Sequence, residues 1–277
     1  MTETDPLGQT IQPGNKQPLH IIKTGGNVID DESGLHFFLR DFASIDEKKI
    51  LVHGGGKIAT AIGEKLGIEP NYVDGRRITD DATIDLVTMV YAGLVNKKIV
   101  AALQSLQCNA IGLTGVDANS LPAKKRPVKL IDYGWVGDVD PTDINMGIWR
   151  LFLDNKLVPV VGPLTHDGLG HILNMNADTI AAVLSRSLSR FYYVKLVYCF
   201  EKNGVLQDVN DEQSSLAHLD AKTYHELKEN KKLFAGILPK IDNAFDAINN
   251  GVQEVVIGNS NSLLQLTKGE GGTKIIL

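Results

Sequence analysis

Ile50, Leu51 and Val52 run through His53 into three consecutive glycines, Gly54, Gly55 and Gly56, and Lys57 then opens a segment with Ile58, Ile62 and Leu66 spaced by four. The apolar run reads as a buried strand and the spacing of four as one face of a helix that Gly67 ends. Glycines at the entry to a helix leave backbone amides uncovered, and the helix dipole favours negative charge there. The spacing is neither the Walker-A pattern nor the dinucleotide GxGxxG. Alone, such a junction is equally a tight turn with close strand–helix packing. A second one changes the weight: Leu19-His20-Ile21-Ile22-Lys23-Thr24 is another strand, and it enters Gly25 and Gly26 with a lysine near its end. In an open parallel sheet the carboxyl ends of neighbouring strands line one crevice, so both junctions are expected to face one ligand.

The remaining pattern predicts a short helix over Gly34–Phe42 and a hairpin around Asp74-Gly75 that carries Arg76 and Arg77. Thr79 is expected to cap a long helix reaching about Gln107, with a possible break at Gly93. Strands are expected over Asn109–Gly115, Leu157–Gly162, His171–Met175, Phe191–Tyr198, Val252–Gly258 and Thr273–Leu277, and a hairpin over Val128–Asp140. Helices are expected over Thr142–Asn155, over Ala177–Ser189 behind an Asn176 cap, and over Ala221–Glu229 behind Asp220. A last helix has Ile237, Ile241, Phe245 and Ile248 on one face. The fold class is α/β: a mostly parallel open sheet sandwiched by helices, in two lobes, 19–163 and 164–277, joined near Pro163. Met1–Pro18 is aperiodic, with three prolines, and is expected to be a disordered tail.

With 28 basic and 33 acidic residues the net charge is −5, which offers no footprint for nucleic acid or an anionic membrane. No apolar run approaches the ~18 residues of a membrane span, and no charged-then-apolar leader opens the chain. Cys108 and Cys199 each lie in an apolar run, outside any CxxC pair, and read as buried reduced thiols. These features point to a cytoplasmic protein with no metal-ligand cluster and no nucleotide-dependent dehydrogenase motif.

Lys23-Thr24-Gly25-Gly26, His53-Gly54-Gly55-Gly56, Asp74-Gly75-Arg76-Arg77-Ile78-Thr79, Asn174-Met175-Asn176-Ala177-Asp178 and Lys240 occur in this order. From about Leu19 to Leu277 the chain thereby resembles the amino acid kinase family, and within it the N-acetyl-L-glutamate kinases. The resemblance implies transfer of the ATP γ-phosphoryl to the side-chain carboxylate of N-acetyl-L-glutamate, giving an acyl phosphate in arginine biosynthesis. Such an acceptor, with a reference pKa of about 4.3, is already ionised and needs no general base. Catalysis then rests on positioning and charge neutralisation. Carried over by motif, Lys23 and Lys240 stabilise the transferring phosphoryl group and Asp178 orients them. Gly25, Gly26 and Gly54 meet phosphates, with Glu201 and Gly204 in the nucleotide turn. Gly55, Gly56, Arg77 and Asn174 hold the acyl-glutamate. The cofactors implied are ATP and Mg²⁺, the latter held mainly by the nucleotide; 19–163 becomes the acyl-amino-acid lobe and 164–277 the nucleotide lobe.

Three stretches depart from the family pattern. Phe200-Glu201-Lys202-Asn203-Gly204-Val205 stands where Thr-Asp-x-x-Gly-Val is usual, and Thr114-Gly115-Val116-Asp117 where Ser-Gly-Lys-Asp is usual. Arg76 replaces an apolar residue near the acyl group and makes N-succinyl-L-glutamate the alternative acceptor. Arginine-inhibited relatives carry an amphipathic N-terminal helix that joins dimers. Met1–Pro18 has no apolar stripe, so an arginine-insensitive homodimer is expected. Carbamate, aspartate and glutamate 5-kinases are other readings within the family, and a non-catalytic amino-acid sensor is the reading outside the enzymes.

Overall fold

The computed structural model describes residues 16–73, 76–208, 210–230, 232–233 and 236–277. Of the tail expected over Met1–Pro18 the first fifteen residues lie outside the described residues, as do the Asp74-Gly75 turn, Val209, Lys231, Phe234 and Ala235, whereas Gln17 and Pro18 belong to the first strand. Eight strands form one open sheet: β1 (Gln17–Thr24), β2 (Lys48–His53), β3 (Ala110–Leu113), β4 (Val158–Val161), β5 (Tyr192–Phe200), β6 (His218–Leu219), β7 (Glu254–Asn259) and β8 (Thr273–Ile275). Their order is β6-β8-β7-β5-β1-β2-β4-β3. Every neighbouring pair is parallel except β7 with β8.

The helices are α1 (Gly26–Asp30), α2 (Glu32–Ala43), α3 (Gly56–Lys65), α4 (Asp81–Ser105), α5 (Met146–Asp154), α6 (Ala177–Leu188), α7 (Ala221–Glu229), α8 (Leu238–Asn249) and α9 (Leu263–Lys268). The two-residue period of the strands sorts their side chains into two cores. Ile21, Ile50, Val52, Leu196 and Ile257 pack with Trp149 of α5, Leu184 of α6 and Ile241 of α8. Ile22, Leu51, Val197 and Val256 face the other way, onto Phe38 and Phe42 of α2, Leu86 and Ile99 of α4, and Leu266 of α9. A sheet apolar on both faces needs helices on both, which is the sandwich the sequence predicts.

The long helix differs from expectation in three ways. Its cap is Asp80, whose carboxylate accepts from the Thr83 amide at 2.8 Å. Thr79 is instead engaged as a bridge with the 133–135 segment, donating to Tyr133 O at 2.9 Å and accepting from Trp135 N at 2.6 Å. No break falls at Gly93; the chain widens into a π-helical turn over Thr88–Val95 and continues. By length and composition this helix could span a membrane, contrary to the sequence expectation, but Leu86, Val90, Val95, Ile99 and Leu103 are buried in the core.

The hairpin expected over Val128–Asp140 reduces to Lys124–Lys125 against Gly137–Asp138. Gly134, at φ 70°, sits so close to Thr79 that a Cβ would lie 2.1 Å from its carbonyl oxygen, and Val136 bridges to Asn174. The segment spends its backbone pairing on other elements rather than on itself. β1 starts at Gln17, two residues before the expected strand, and β6 and α9, two and six residues long, are too short to leave a periodic trace.

Trp149 is fully buried, and its indole N–H donates to Ser120 O at 3.0 Å. Trp149→Ala is expected to cost about 3–5 kcal/mol through the cavity it opens. Urea denaturation should show a lower midpoint at unchanged slope.

Candidate active site

Register brings the site together. In the central three strands Lys23 lies beside Val52 and Tyr198, and Thr24 beside His53 and Cys199, so all three strands end at one edge. A cavity of about 450 Å³ opens there. Both glycine junctions line it, and a Cβ on Gly54 would lie 3.9 Å from the Gly26 amide nitrogen. That is ordinary van der Waals contact, so the glycines matter here for the backbone amides they leave uncovered. Gly56 also starts α3, whose N-terminal amides add to the positive field.

A buried ion triad forms the opposite wall. Asp178, in the first turn of α6, receives Lys23 Nζ on one carboxylate oxygen and Lys240 Nζ on the other, both at 2.7 Å. α6 is held at its start by the Asn176 cap, which accepts from the Asp178 amide at 2.7 Å, and by the Tyr198 hydroxyl, which donates to Asp178 O at 3.0 Å. Burial alone would raise the Asp178 carboxyl, but the two ammonium groups outweigh it and hold it below its ordinary value. Burial lowers Lys23; Asp178 restores part of the loss, and Lys240 adds to it. Burial also pushes the Cys199 thiol up to about 12, and neither cysteine is in a disulfide.

Arg77 is buried under the glycine loop. Its Nη2 donates to Gly56 O at 3.0 Å, to Thr60 Oγ1 at 2.8 Å and to the Tyr72 hydroxyl, and its guanidinium lies 4.7 Å from the Tyr72 ring centre. Asn174 donates from Nδ2 to Thr79 Oγ1 at 3.1 Å, while its buried Oδ1 has no protein partner. Arg76 is exposed at the rim, and Glu201 lines the cavity. Of the residues singled out from the sequence, Gly204 alone lies outside the lining. A Cβ on it would fall 2.4 Å from Ser215 Oγ and 2.5 Å from Thr273 Oγ1, so it serves packing between strands.

Lys57, Tyr72, Tyr91 and Arg126 also line the cavity and were not singled out from the sequence. Arg126 pairs with Asp138 through Nε at 3.0 Å and Nη2 at 2.5 Å, whereas its buried Nη1 has no partner. The basic run Lys124-Lys125-Arg126 was the available signal for it. Lys23, Lys57, Arg76, Arg77, Arg126 and Lys240 face three carboxylates, Asp138, Asp178 and Glu201, in this cavity. Such a lining favours an anionic ligand. Among the described residues no cluster of three or more His, Cys, Asp or Glu could hold a metal.

Fold and cavity thus define an α/β protein with a cation-rich cavity at the carboxyl ends of its parallel strands. The sequence model of the Amino acid kinase family matches residues 18–259. Acetylglutamate kinase of Cytophaga hutchinsonii is 53% identical over 263 residues, 94% of this chain and 99% of that protein. Acetylglutamate kinase of Bacteroides fragilis is 48% identical over 260 residues, 94% and 97% of the two chains. N-acetylglutamate synthase from Neisseria gonorrhoeae, solved with coenzyme A and N-acetyl-glutamate, superposes with a TM-score of 0.78 at 24% identity. The match covers 94% of this chain but 59% of that longer one, and it speaks for the fold alone. The chain belongs to the amino acid kinase family.

His53 closes the floor behind the glycines. Burial, opposed by its bond to Gly54 O and aided by the Lys97 ammonium, lowers it from 6.5 to about 4. The unfolded chain therefore binds a proton near pH 6.5 that the folded chain refuses until about pH 4. Stability from this group is full above pH 6.5 and falls as pH drops to 4, by at most about 3 kcal/mol. Urea denaturation of wild type and His53→Asn across that range should show the wild type losing more; parallel losses would refute it.

Proposed function

We propose that this protein transfers the γ-phosphoryl of ATP to the side-chain carboxylate of an N-acyl-L-glutamate, with N-acetyl-L-glutamate as the acceptor. The single observation that carries the reading is the state of Asp178. It is the buried carboxylate nearest the lysines, and each of its oxygens lies 2.7 Å from an ammonium group, which lowers its affinity for a proton and makes it a poor base toward an acceptor. A hydroxyl or amine acceptor would need a base. A carboxylate needs none, only neutralisation as two anions approach.

In this reading Lys23 and Lys240 sit on the transferring group, and Asp178 holds them apart and aimed. Gly25, Gly26 and Gly54 offer amides to the nucleotide phosphates, with Glu201 further along the same wall. Gly55 and Gly56 border the acceptor. Arg77 meets its α-carboxylate, a task suited to a fixed guanidinium. The unpartnered Oδ1 of Asn174 suits the N–H of an acyl amide, which donates there without bringing a positive charge. Asp178 and Asp138 are already paired with cations, so Mg²⁺ fits best on the phosphates themselves. The strands of 19–163 then form an acyl-amino-acid lobe and those of 164–277 a nucleotide lobe. The named relatives support the acetyl acceptor.

Hydroxylamine trapping of the acyl phosphate tests this directly. Wild type with MgATP and N-acetyl-L-glutamate should turn over. Lys240→Ala should lower kcat about 10²–10³-fold while acceptor KM changes little. Silence of the folded wild type would leave a sensor as the reading.

A dicarboxylic acyl group is the second reading. Arg76 at the rim and the unpartnered Nη1 of Arg126 favour it, since both could meet an added carboxylate. If N-succinyl-L-glutamate is the natural acceptor, its kcat/KM exceeds that of the acetyl compound, and Arg76→Leu lowers the ratio about tenfold. An unchanged ratio refutes it.

A further inference from the structure

A hydrogen-bonded relay lies directly beneath the Gly54–Gly56 loop, and none of it touches the cavity. His53, the last residue of β2, is fully buried. Its Nδ1 lies 2.7 Å from Gly54 O, and its Nε2 lies 3.1 Å from Asn96 Nδ2. Asn96 is also fully buried; the same Nδ2 donates to Val160 O at 2.9 Å, and its Oδ1 accepts from Lys97 Nζ at 3.1 Å.

The network assigns the protons. An ammonium only donates, so the Asn96 atom facing Lys97 is the oxygen and the atom facing His53 is the nitrogen. With a donor aimed at Nε2, that nitrogen presents its lone pair. The imidazole proton is then on Nδ1 and is donated to Gly54 O. Each member of the relay has the partner it requires, as a buried polar network must.

The consequence falls on one peptide plane. In a trans peptide the carbonyl and the following N–H point in opposite directions. Holding Gly54 O back against His53 therefore turns the Gly55 N–H away from the interior. On its other side Gly55 is packed against Tyr91, whose ring carbon would lie 3.0 Å from a Cβ placed there. We propose that His53, held as the Nδ1–H tautomer by Asn96, is a positioning residue that fixes the Gly54–Gly55 peptide so that the Gly55 amide is presented to the reacting anions. This inference rests on the phosphotransfer reading of the cavity.

The helix is built for the task. Tyr91 and Asn96 are five residues apart and both reach this loop. On a regular α-helix, neighbours on one face are three or four apart. The π-helical turn over Thr88–Val95 widens the spacing and brings both to the same side. Gly112 leaves room for the carboxamide, since a Cβ there would lie 2.0 Å from Asn96 Oδ1.

The two amide isosteres of histidine separate positioning from packing. His53→Asn places an amide nitrogen where Nδ1 was and can still donate to Gly54 O. His53→Gln reaches Asn96 but leaves the carbonyl without its donor. With urea midpoints matched, kcat for hydroxylamine-trapped product should fall about a hundredfold in the Gln variant and stay within about threefold in the Asn variant, with nucleotide KM little changed in either. Equal losses, or no loss in either, overturn the proposal. Nitrogen-15 NMR of uniformly carbon-13/nitrogen-15-labelled wild type, with the His53 ring assigned through bonds from its own backbone amide, should show a protonated Nδ1 and a bare Nε2. A proton on Nε2 overturns the proposal even if neither variant folds. A folded but inactive wild type would sink the phosphotransfer reading while leaving the tautomer readable.

Discussion

One carboxylate shared by two lysines ties the molecule together at its chemical end. Lys23 comes from β1, Asp178 from α6 and Lys240 from α8, so the triad joins the central strand to two helices packed on one face of the sheet. Taking such charges out of water costs several kcal/mol per ion, and apolar residues of the same volume would often be as stable. The triad makes sense through what it leaves over. Two ammonium groups against one carboxylate leave a net positive charge at the end of β1, fixed before any ligand arrives. Preorganised charge needs no rearrangement at the moment of reaction. The Asn176 cap and the Tyr198 hydroxyl hold the α6 start in place, so the geometry belongs to the backbone as well as to the side chains.

The glycine loops answer a different constraint, access. A phosphate or carboxylate can meet a backbone amide only where no side chain intervenes, and Gly55 is in addition held by space, since a Cβ there would lie 3.0 Å from the Tyr91 ring. Opposite charge around them concentrates anions in a protein whose overall charge is negative. Local field and net charge are separate quantities, and the former guides a small ligand.

The sheet, its two faces of helices and the strand-to-glycine junctions were legible because each follows from local chemistry. Continuous apolar runs mark the buried strands, a spacing of four marks helices, and glycine runs mark the junctions. Asn176 and Asp220 as caps were legible for the same reason. Thr79 was misread because a hydroxyl before a helix looks like a cap; its backbone pairing with 133–135 is nonlocal, and Asp80 took the role. Val128–Asp140 alternates like a hairpin, yet Gly134 and Val136 pair with Thr79 and Asn174, residues distant in sequence. The π-helical turn was hidden in principle, since a search for α spacing places Tyr91 and Asn96 on different faces. The gathering of Lys23, Asp178 and Lys240 at one point was not visible from their spacing at all. It came from the order of motifs, and the register of parallel strands supplies its physical cause.

Chemistry and selectivity occupy different kinds of structure here. The triad and the glycine junctions sit on strand ends and helix starts, where backbone hydrogen bonding fixes positions closely. Arg76, Arg126, Gly137 and Asn174, which shape the far wall, lie on two- or three-residue ribbons and irregular segments. Such segments change sequence at little cost to the fold. Under the proposed function, the phosphotransfer groups could be kept while the acceptor pocket varies, and cationic side chains on those ribbons would alter the choice of acyl group without disturbing the lysines. A restriction to anionic acceptors, under the same reading, would be set deep in the core: while Asp178 pairs with both lysines, an acceptor that must surrender a proton would find a poor base in it.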